Sequence, residues 1–146
     1  MNSAWQSPEV TIKSLPLEFG RPFSVFAMAP THRQLLLRSP MGNEWEDRID
    51  VILKGVVAMK VKTQLPDLVI SAANDREVAD VDLDCEADLR RNESFKVYML
   101  RAGKFRGYVV AASAWMARDR RPANDPSPLL FDIEGTPMPE RIIQLI

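Results

Sequence analysis

Three carboxylates stand at alternate positions from 80 to 84, which is the spacing with which a calcium-binding loop begins. Asp80, Asp82 and Asp84 match the first three ligand positions of such a loop. The loop then requires a glycine and, at its twelfth position, a glutamate that binds through both oxygens. The sequence has Cys85 and Arg91 there. The pattern therefore does not predict a calcium site, and one cysteine with one histidine cannot form a closed zinc site, so we expect no metal.

Nucleophilic catalysis is the next chemistry that the residue types allow. His32 and Cys85 are the only histidine and cysteine, and they lie 53 positions apart without a recognisable catalytic signature. No serine stands in a glycine-flanked elbow, and no glycine-rich phosphate loop occurs. We therefore expect a protein that binds no cofactor and is not an enzyme. An enzyme with a carboxylate-lined pocket is kept as an alternative.

The acidic residues have a more distinctive property, which is their concentration in one segment. Residues 75–88 contain seven carboxylates and one arginine, a net charge of −6, so the rest of the chain sums to +5 although the whole carries only −1. A surface with this separation of charge favours contact with a positively charged partner.

Alternation within this segment predicts a strand. Asp80, Asp82, Asp84, Glu86 and Asp88 alternate with valine, leucine, cysteine and alanine. Successive side chains of a strand point to opposite faces, so all five carboxylates would lie on one face and the apolar residues beneath them. These five acids are the predicted partner-binding residues.

A helix is the alternative for the same segment. Asn74 could cap it, with Glu77 in the reciprocal position of a capping box. A helix would align one apolar stripe, formed by Val78, Val81, Cys85 and Leu89. It would also leave Leu83 on the solvent side, and aspartate and valine are mediocre helix formers. The strand is therefore the favoured prediction.

Short alternating segments rich in branched and aromatic residues predict the rest of the fold. They cover residues 9–15, 21–28, 31–38, 45–63, 68–72, 95–101 and 105–114. Gly55 interrupts the longest segment, where either one bent strand or a hairpin would fit. The last pair flanks residues 102–104, a glycine-containing connection typical of a hairpin.

Repeated strand and turn without a convincing long helix predicts a mainly β fold. We expect an antiparallel sandwich or barrel of short strands with one or two short helices at most. Residues 118–139 carry five prolines and predict a loop with little regular structure except near 129–133, and 140–146 predicts a helical turn or a strand.

Length and composition predict a single globular domain over residues 1–146. A hydrophobic content of 46% is ordinary for such a domain. Cys85 cannot form a disulfide within the chain, and neither a signal peptide nor an apolar run long enough for a bilayer occurs. These features predict a cytoplasmic protein without membrane contact.

Single-stranded nucleic acid is an alternative partner, because basic and aromatic residues interleave in the region 95–121. They are Phe95, Lys96, Tyr98, Arg101, Lys104, Phe105, Arg106 and Tyr108, followed by Arg118, Arg120 and Arg121. The aromatic residues fall on both faces of the predicted hairpin, so some must belong to the core. The pI is near 5.9, so the chain also lacks the excess of basic residues that such proteins carry.

A basic protein partner fits the sequence best. An acidic face on a small β domain can steer a positively charged protein, as immunity proteins and small inhibitors of basic toxins do. The competing interpretation is internal pairing with bases of the same chain, namely Lys54, Lys60, Lys62, Lys96 and Arg101. A homodimer is also left open.

Overall fold

A computed structural model describes residues 9–30, 33–42, 44–86, 89, 94–127, 129 and 141–146. Twelve strands and one helix lie within these residues. They are β1 (Glu9–Lys13), β2 (Leu17–Glu18), β3 (Phe23–Ala29), β4 (Gln34–Ser39), β5 (Arg48–Lys54), β6 (Ala58–Lys60), β7 (Gln64–Leu65), β8 (Leu68–Ala72), α1 (Asp75–Cys85), β9 (Lys96–Ala102), β10 (Phe105–Ala111), β11 (Ser113–Asp119) and β12 (Arg141–Leu145).

The strands form two sheets. Sheet A has the order β1-β12-β11-β5-β4-β3-β7, and sheet B has the order β2-β8-β9-β10-β6. All neighbours are antiparallel except β1 and β12, which run parallel. The prediction of a mainly β, antiparallel sandwich of short strands is thus confirmed, with one parallel pair at an edge.

The main core lies between the two sheets, because alternate residues of each strand point inward. Leucine, isoleucine and valine side chains dominate it, and each contributes about 1.5–3 kcal/mol when fully buried. Its members include Leu35, Leu37, Val51, Leu53 and Met116 from sheet A, and Ile70, Tyr98, Leu100 and Val109 from sheet B.

Two chain segments cross together from one sheet to the other at Gly55. The amide of Val57 donates to the carbonyl of Val110, and the amide of Ala112 donates to the carbonyl of Lys54, both over 2.9 Å. A Cβ on Gly55, whose φ is +70°, would lie only 2.8 Å from the Cβ of Ala112. The chain therefore bends here from β5 in sheet A to β6 in sheet B, and the hairpin alternative for this segment is wrong.

Most other expectations for local structure fall close to the observed bounds, but β11 (Ser113–Asp119) differs: it takes the end of the strand predicted over 105–114 and the first two residues of the loop predicted over 118–139. The predicted hairpin is formed by β9 and β10, and its turn contains Gly103 with a φ of +61°. Residues 120–127 contain no helix or strand, and the carboxyl-terminal segment is the strand β12 rather than a helical turn. Most of 129–133 lies outside the described residues, as do His32, Asp88 and Arg91.

The outer face of sheet A is covered by the segment that follows β11. Arg38 and Arg48 are buried beneath it and bond the carboxylates of Asp50 and Asp119 at 2.7–3.0 Å. Each guanidinium also donates to two backbone carbonyls of residues 122–125. These buried charges are therefore paired and hydrogen-bonded, as buried charges must be.

The outer face of sheet B is covered by α1, and the strand predicted for residues 80–88 is wrong. Asn74 accepts a hydrogen bond from the amide of Glu77 (2.8 Å), whose carboxylate in turn accepts from the amide of Asn74 (3.0 Å). This capping box satisfies two amides that the helix leaves without partners. Among the described residues, α1 is the only helix, and it is neither long nor apolar enough to cross a bilayer.

Candidate functional site

The apolar stripe of α1 fixes the orientation of the helix on sheet B. Val81 is buried against Val97, Tyr108 and Val110 of β9 and β10. The remaining residues in this small core include Val78, Cys85, Leu89, Phe95 and Met99. The stripe is the one that the helix alternative predicted, and it leaves the opposite side of α1 to the solvent.

The helical geometry divides the predicted binding residues between two flanks. Residues four apart lie on the same side of a helix, and residues two apart lie on nearly opposite sides. Asp80 and Asp84 therefore form one flank. Asp82 lies on the other flank, and Glu86 follows α1 as its exposed C-cap with a left-handed φ of 53°. The single row of acids that a strand would give does not exist, and Asp88 lies outside the described residues.

Leu83 lies between the two flanks and is 81% exposed. At about 100° per residue, its side chain projects between Asp80 and Asp84 on one side and Asp82, with the capping Glu86 beyond it, on the other. It is the most exposed large hydrophobic residue of the described chain. We call the side of α1 formed by these five residues the acidic helix face.

Two of the four carboxylates take part in hydrogen bonds. Asp84 Oδ2 accepts from the hydroxyl of Tyr108 at 2.6 Å, which ties the helix to β10. Asp82 Oδ1 accepts from the amide of Leu89 at 2.9 Å, just beyond the end of the helix. The hydrogen bond to the Asp84 carboxylate, together with burial, raises the pKa of Tyr108 to about 12, so the phenol remains a donor at neutral pH.

Asp80 and Glu86 point into solvent, and their side chains form no hydrogen bond or ion pair with any described residue. Residues 75–86 carry six carboxylates and one arginine, a net charge of −5. No described base is ion-paired with any of these six acids, including the lysines and the arginine that internal pairing would require. The charge of the acidic helix face is thus not neutralised within the described chain.

A shallow groove of about 380 Å³ separates one flank of this face from basic residues of sheet B. Asp80 and Asp84 line one side of it, and Lys60 and Arg106 line the other. Arg106 is also the cross-strand neighbour of Arg101, so two exposed arginines stand side by side on this sheet. One wall of the groove is therefore acidic and the other is basic.

The aromatic residues of the hairpin are packed inside the molecule. Tyr98 is in the core between the sheets, and Phe95 and Tyr108 lie under α1. Phe105 packs against the main core, and the ammonium group of Lys62 lies 5.4 Å from the centre of its ring. The stacking surface that the nucleic-acid alternative requires is thus missing from these four rings.

A second groove, of about 490 Å³, lies near the start of β5. Arg21 is buried there, stacks on Trp45 with its Cζ 5.1 Å from the ring centre, and bonds Asp47 at 2.9 Å. Arg118 bonds the other oxygen of Asp47 at 3.0 Å. Partial burial opposes ionisation of Asp47, but the two hydrogen bonds outweigh it and lower its pKa. These charges are satisfied locally, as in a structural cluster.

The described residues bring together few groups that could act in catalysis. No group of three histidine, cysteine or carboxylate side chains among them is arranged to hold a metal ion. Cys85 faces the small core under α1, and His32 lies outside the described residues. No known protein family, no curated protein and no solved structure matches this chain.

Sequence reasoning did not place Leu83 in the candidate site. A helix would expose Leu83 to solvent, and this expectation favoured the strand. The capping residues Asn74 and Glu77 were the signal that could have outweighed it.

Proposed function

We propose that this protein binds a basic protein partner through the acidic helix face of α1, in the manner of a small immunity or inhibitor protein. The observation that carries the proposal is an exposed leucine placed between two flanks of carboxylates that no described base neutralises. The proposed role is non-enzymatic. A cytoplasmic location belongs to the same proposal, because Cys85 has no second cysteine to pair with.

The two parts of the face have different tasks in this proposal. The carboxylates attract a positively charged surface and raise the association rate, an effect that salt weakens. Leu83 then fills an apolar site on the partner and slows dissociation, since buried apolar anchors carry much of the energy of an interface. Exposed carboxylates alone would give a weak and unselective contact.

The test compares two triple variants with the same change in net charge. One is Asp80→Lys, Asp82→Lys and Glu86→Lys on the acidic helix face. The matched control is Glu18→Lys, Glu44→Lys and Glu46→Lys, which alters three exposed carboxylates outside α1. Each tagged variant is used to capture proteins from the extract of the host cell, and bound proteins are quantified by mass spectrometry at two salt concentrations.

We expect the unaltered protein and the control to capture the same basic protein, in an amount that falls as salt is added. The variant of the helix face should retain less than about a tenth of it, since reversal of several interfacial charges costs more than 1.4 kcal/mol. Equal capture by both triple variants would refute the proposal.

A further inference from the structure

Strand β1 forms an edge of sheet A and is the longest of the four edge strands. It has five residues, whereas β7 and β2 have two and β6 has three. Among the described residues, only β12 pairs with it. Native sheets protect such edges with proline, bulges, very short strands or charged side chains, and only the last of these occurs in β1, at Glu9 and Lys13.

The backbone hydrogen bonds at the end of β1 determine which of its residues point outward. The amide of Ile146 donates to the carbonyl of Lys13 (3.0 Å), and the amide of Leu15 donates to the carbonyl of Ile146 (2.6 Å). The odd-numbered residues of β1 therefore direct their amides and carbonyls toward β12. Val10 and Ile12 must direct theirs toward the open edge, because this direction alternates along a strand.

The side chains of β1 are also divided by parity. Val10 and Ile12 lie on the outer face of sheet A and are 55% and 64% exposed. Glu9, Thr11 and Lys13 lie on the opposite face. The strand thus presents two exposed apolar residues on one face and a negative and a positive residue at the two ends of the other.

We propose that this edge binds β1 of a second copy of the chain, antiparallel and centred on Thr11. In this register Val10 lies opposite Ile12 of the second copy, so the outward backbone groups of both strands form four hydrogen bonds. Glu9 lies opposite Lys13, and the twofold axis makes this pair occur twice. The two sheets A then join into one continuous sheet across the dimer.

Charge complementarity selects both the partner and the register. If the twofold axis passed through Val10 or Ile12, Glu9 would no longer face Lys13, and the opposite charges would be lost. Glu9 and Lys13 also occupy non-hydrogen-bonded positions in the proposed pairing, where side chains approach each other most closely. Glu9 already has Arg141 at 3.6 Å on its other side, and this exposed contact is compatible with a second base.

The first test exchanges the charges of these two residues and measures the dimer dissociation constant by sedimentation equilibrium. Lys13→Glu creates two Glu–Glu contacts, and Glu9→Lys creates two Lys–Lys contacts. Each single variant should raise the dissociation constant about tenfold. An equimolar mixture of the two variants should recover it to within about twofold, because both contacts of the mixed dimer then join opposite charges.

This result is specific to the proposed register, because Glu9→Lys changes the net charge only from −1 to +1, and general charge repulsion would not weaken its dimer. Circular dichroism of each dilute variant checks that the monomer is folded. An unaltered protein that stays monomeric at millimolar concentration would overturn the proposal, as would single variants that dimerise like it or a mixture that shows no recovery.

The second test does not depend on charge. In a Cys85→Ala background, Thr11→Cys places the two introduced thiols opposite each other across the axis in a non-hydrogen-bonded pair, at a distance of about 4.5 Å between Cβ atoms that a disulfide can close. Val10→Cys is the matched control, because its direct neighbour is Ile12. We expect oxidation to link the Thr11→Cys variant at least about tenfold faster than the control. Equal rates would overturn the register.

Discussion

Charged side chains are buried and paired on the outer face of sheet A, but exposed over the outer face of sheet B. On sheet A, Arg38 and Arg48 are buried, and each bonds a carboxylate and two backbone carbonyls. On sheet B, the carboxylates of α1 lie at the surface without a described base as partner. The first arrangement holds a loop against a sheet. In the second, Asp82 and Asp84 accept single hydrogen bonds, and Asp80 and Glu86 have no partner among the described residues.

The largest loss of stability is expected at Asp50, whose carboxylate lies between the two buried guanidinium groups. Asp50→Ala would leave Arg38 without its carboxylate partner, and Arg48 Nη2 would lose a charge 3.9 Å away. We expect a loss of about 3–5 kcal/mol in the free energy of unfolding, measured with urea. Asp80→Ala on the acidic helix face serves as control and should change it by less than about 0.5 kcal/mol. Similar losses for both would remove the contrast between the two faces.

The second effect separates the two sides of α1. Val81→Ala removes two buried methyl groups beneath the helix and should cost about 1–3 kcal/mol of unfolding free energy. Leu83→Ala removes a side chain that is 81% exposed and should be neutral within about 0.5 kcal/mol. Urea unfolding of the two variants measures both values. A destabilising Leu83→Ala would mean that this leucine packs against the protein itself.

The third effect concerns the hydrogen bond that joins the helix to the sheet. Tyr108→Phe removes the donor to Asp84 and should cost about 1 kcal/mol. Because the pKa of Tyr108 is raised from 10.0 to about 12, its contribution is complete below pH 10 and is lost as the pH rises toward 12.

Absorbance of tyrosinate follows this titration, since Tyr98 and Tyr108 are the only tyrosines. Burial raises the pKa of Tyr98 as well, so Tyr108→Phe serves as the reference for Tyr98 alone. Asp84→Asn should bring the titration of Tyr108 back toward 10.0. An unchanged titration in that variant would contradict the bond between the helix and β10.

The smallest effect is expected in the acidic range, at the groove near β5. The pKa of Asp47 is lowered by Arg21 and Arg118, so its stabilising contribution is present above the ordinary pKa of 3.8 and is lost as the pH falls below it. Asp47→Asn should therefore reduce the acid dependence of the unfolding free energy by a few tenths of a kcal/mol per pH unit, about what a partly exposed pair gives. The measurement is urea unfolding at pH 3 to 5, with about 0.1 M salt held constant.

The mainly β architecture could be predicted from the sequence, but the arrangement of the candidate site could not. Alternation of branched residues located most strands, and Gly103 located the hairpin turn. Acidic and apolar residues also alternate from Asp80 to Asp88, and this two-residue period predicted a strand. The helix forms because its capping box closes and because the outer sides of Val97 and Val110 need a cover, and that need is visible only after the sheet is assembled.

The buried arginines show the same limit. Arg48 alternates with apolar residues at the start of β5, as a residue that faces solvent would, and Arg38 follows a run of three leucines in β4. Their burial depends on Asp119 and on carbonyls of residues 122–125, which lie more than seventy positions away in the chain. Contacts over such separations cannot be inferred from local periodicity.

Leu83→Asp tests the central claim most directly, namely that the acidic helix face is a binding surface. The measurement pairs the unfolding free energy of this variant with its capture of the salt-sensitive basic partner from host extract. We predict a change in unfolding free energy below about 0.5 kcal/mol together with at least about a tenfold loss of captured partner. Undiminished capture by a normally folded Leu83→Asp protein would contradict the claim.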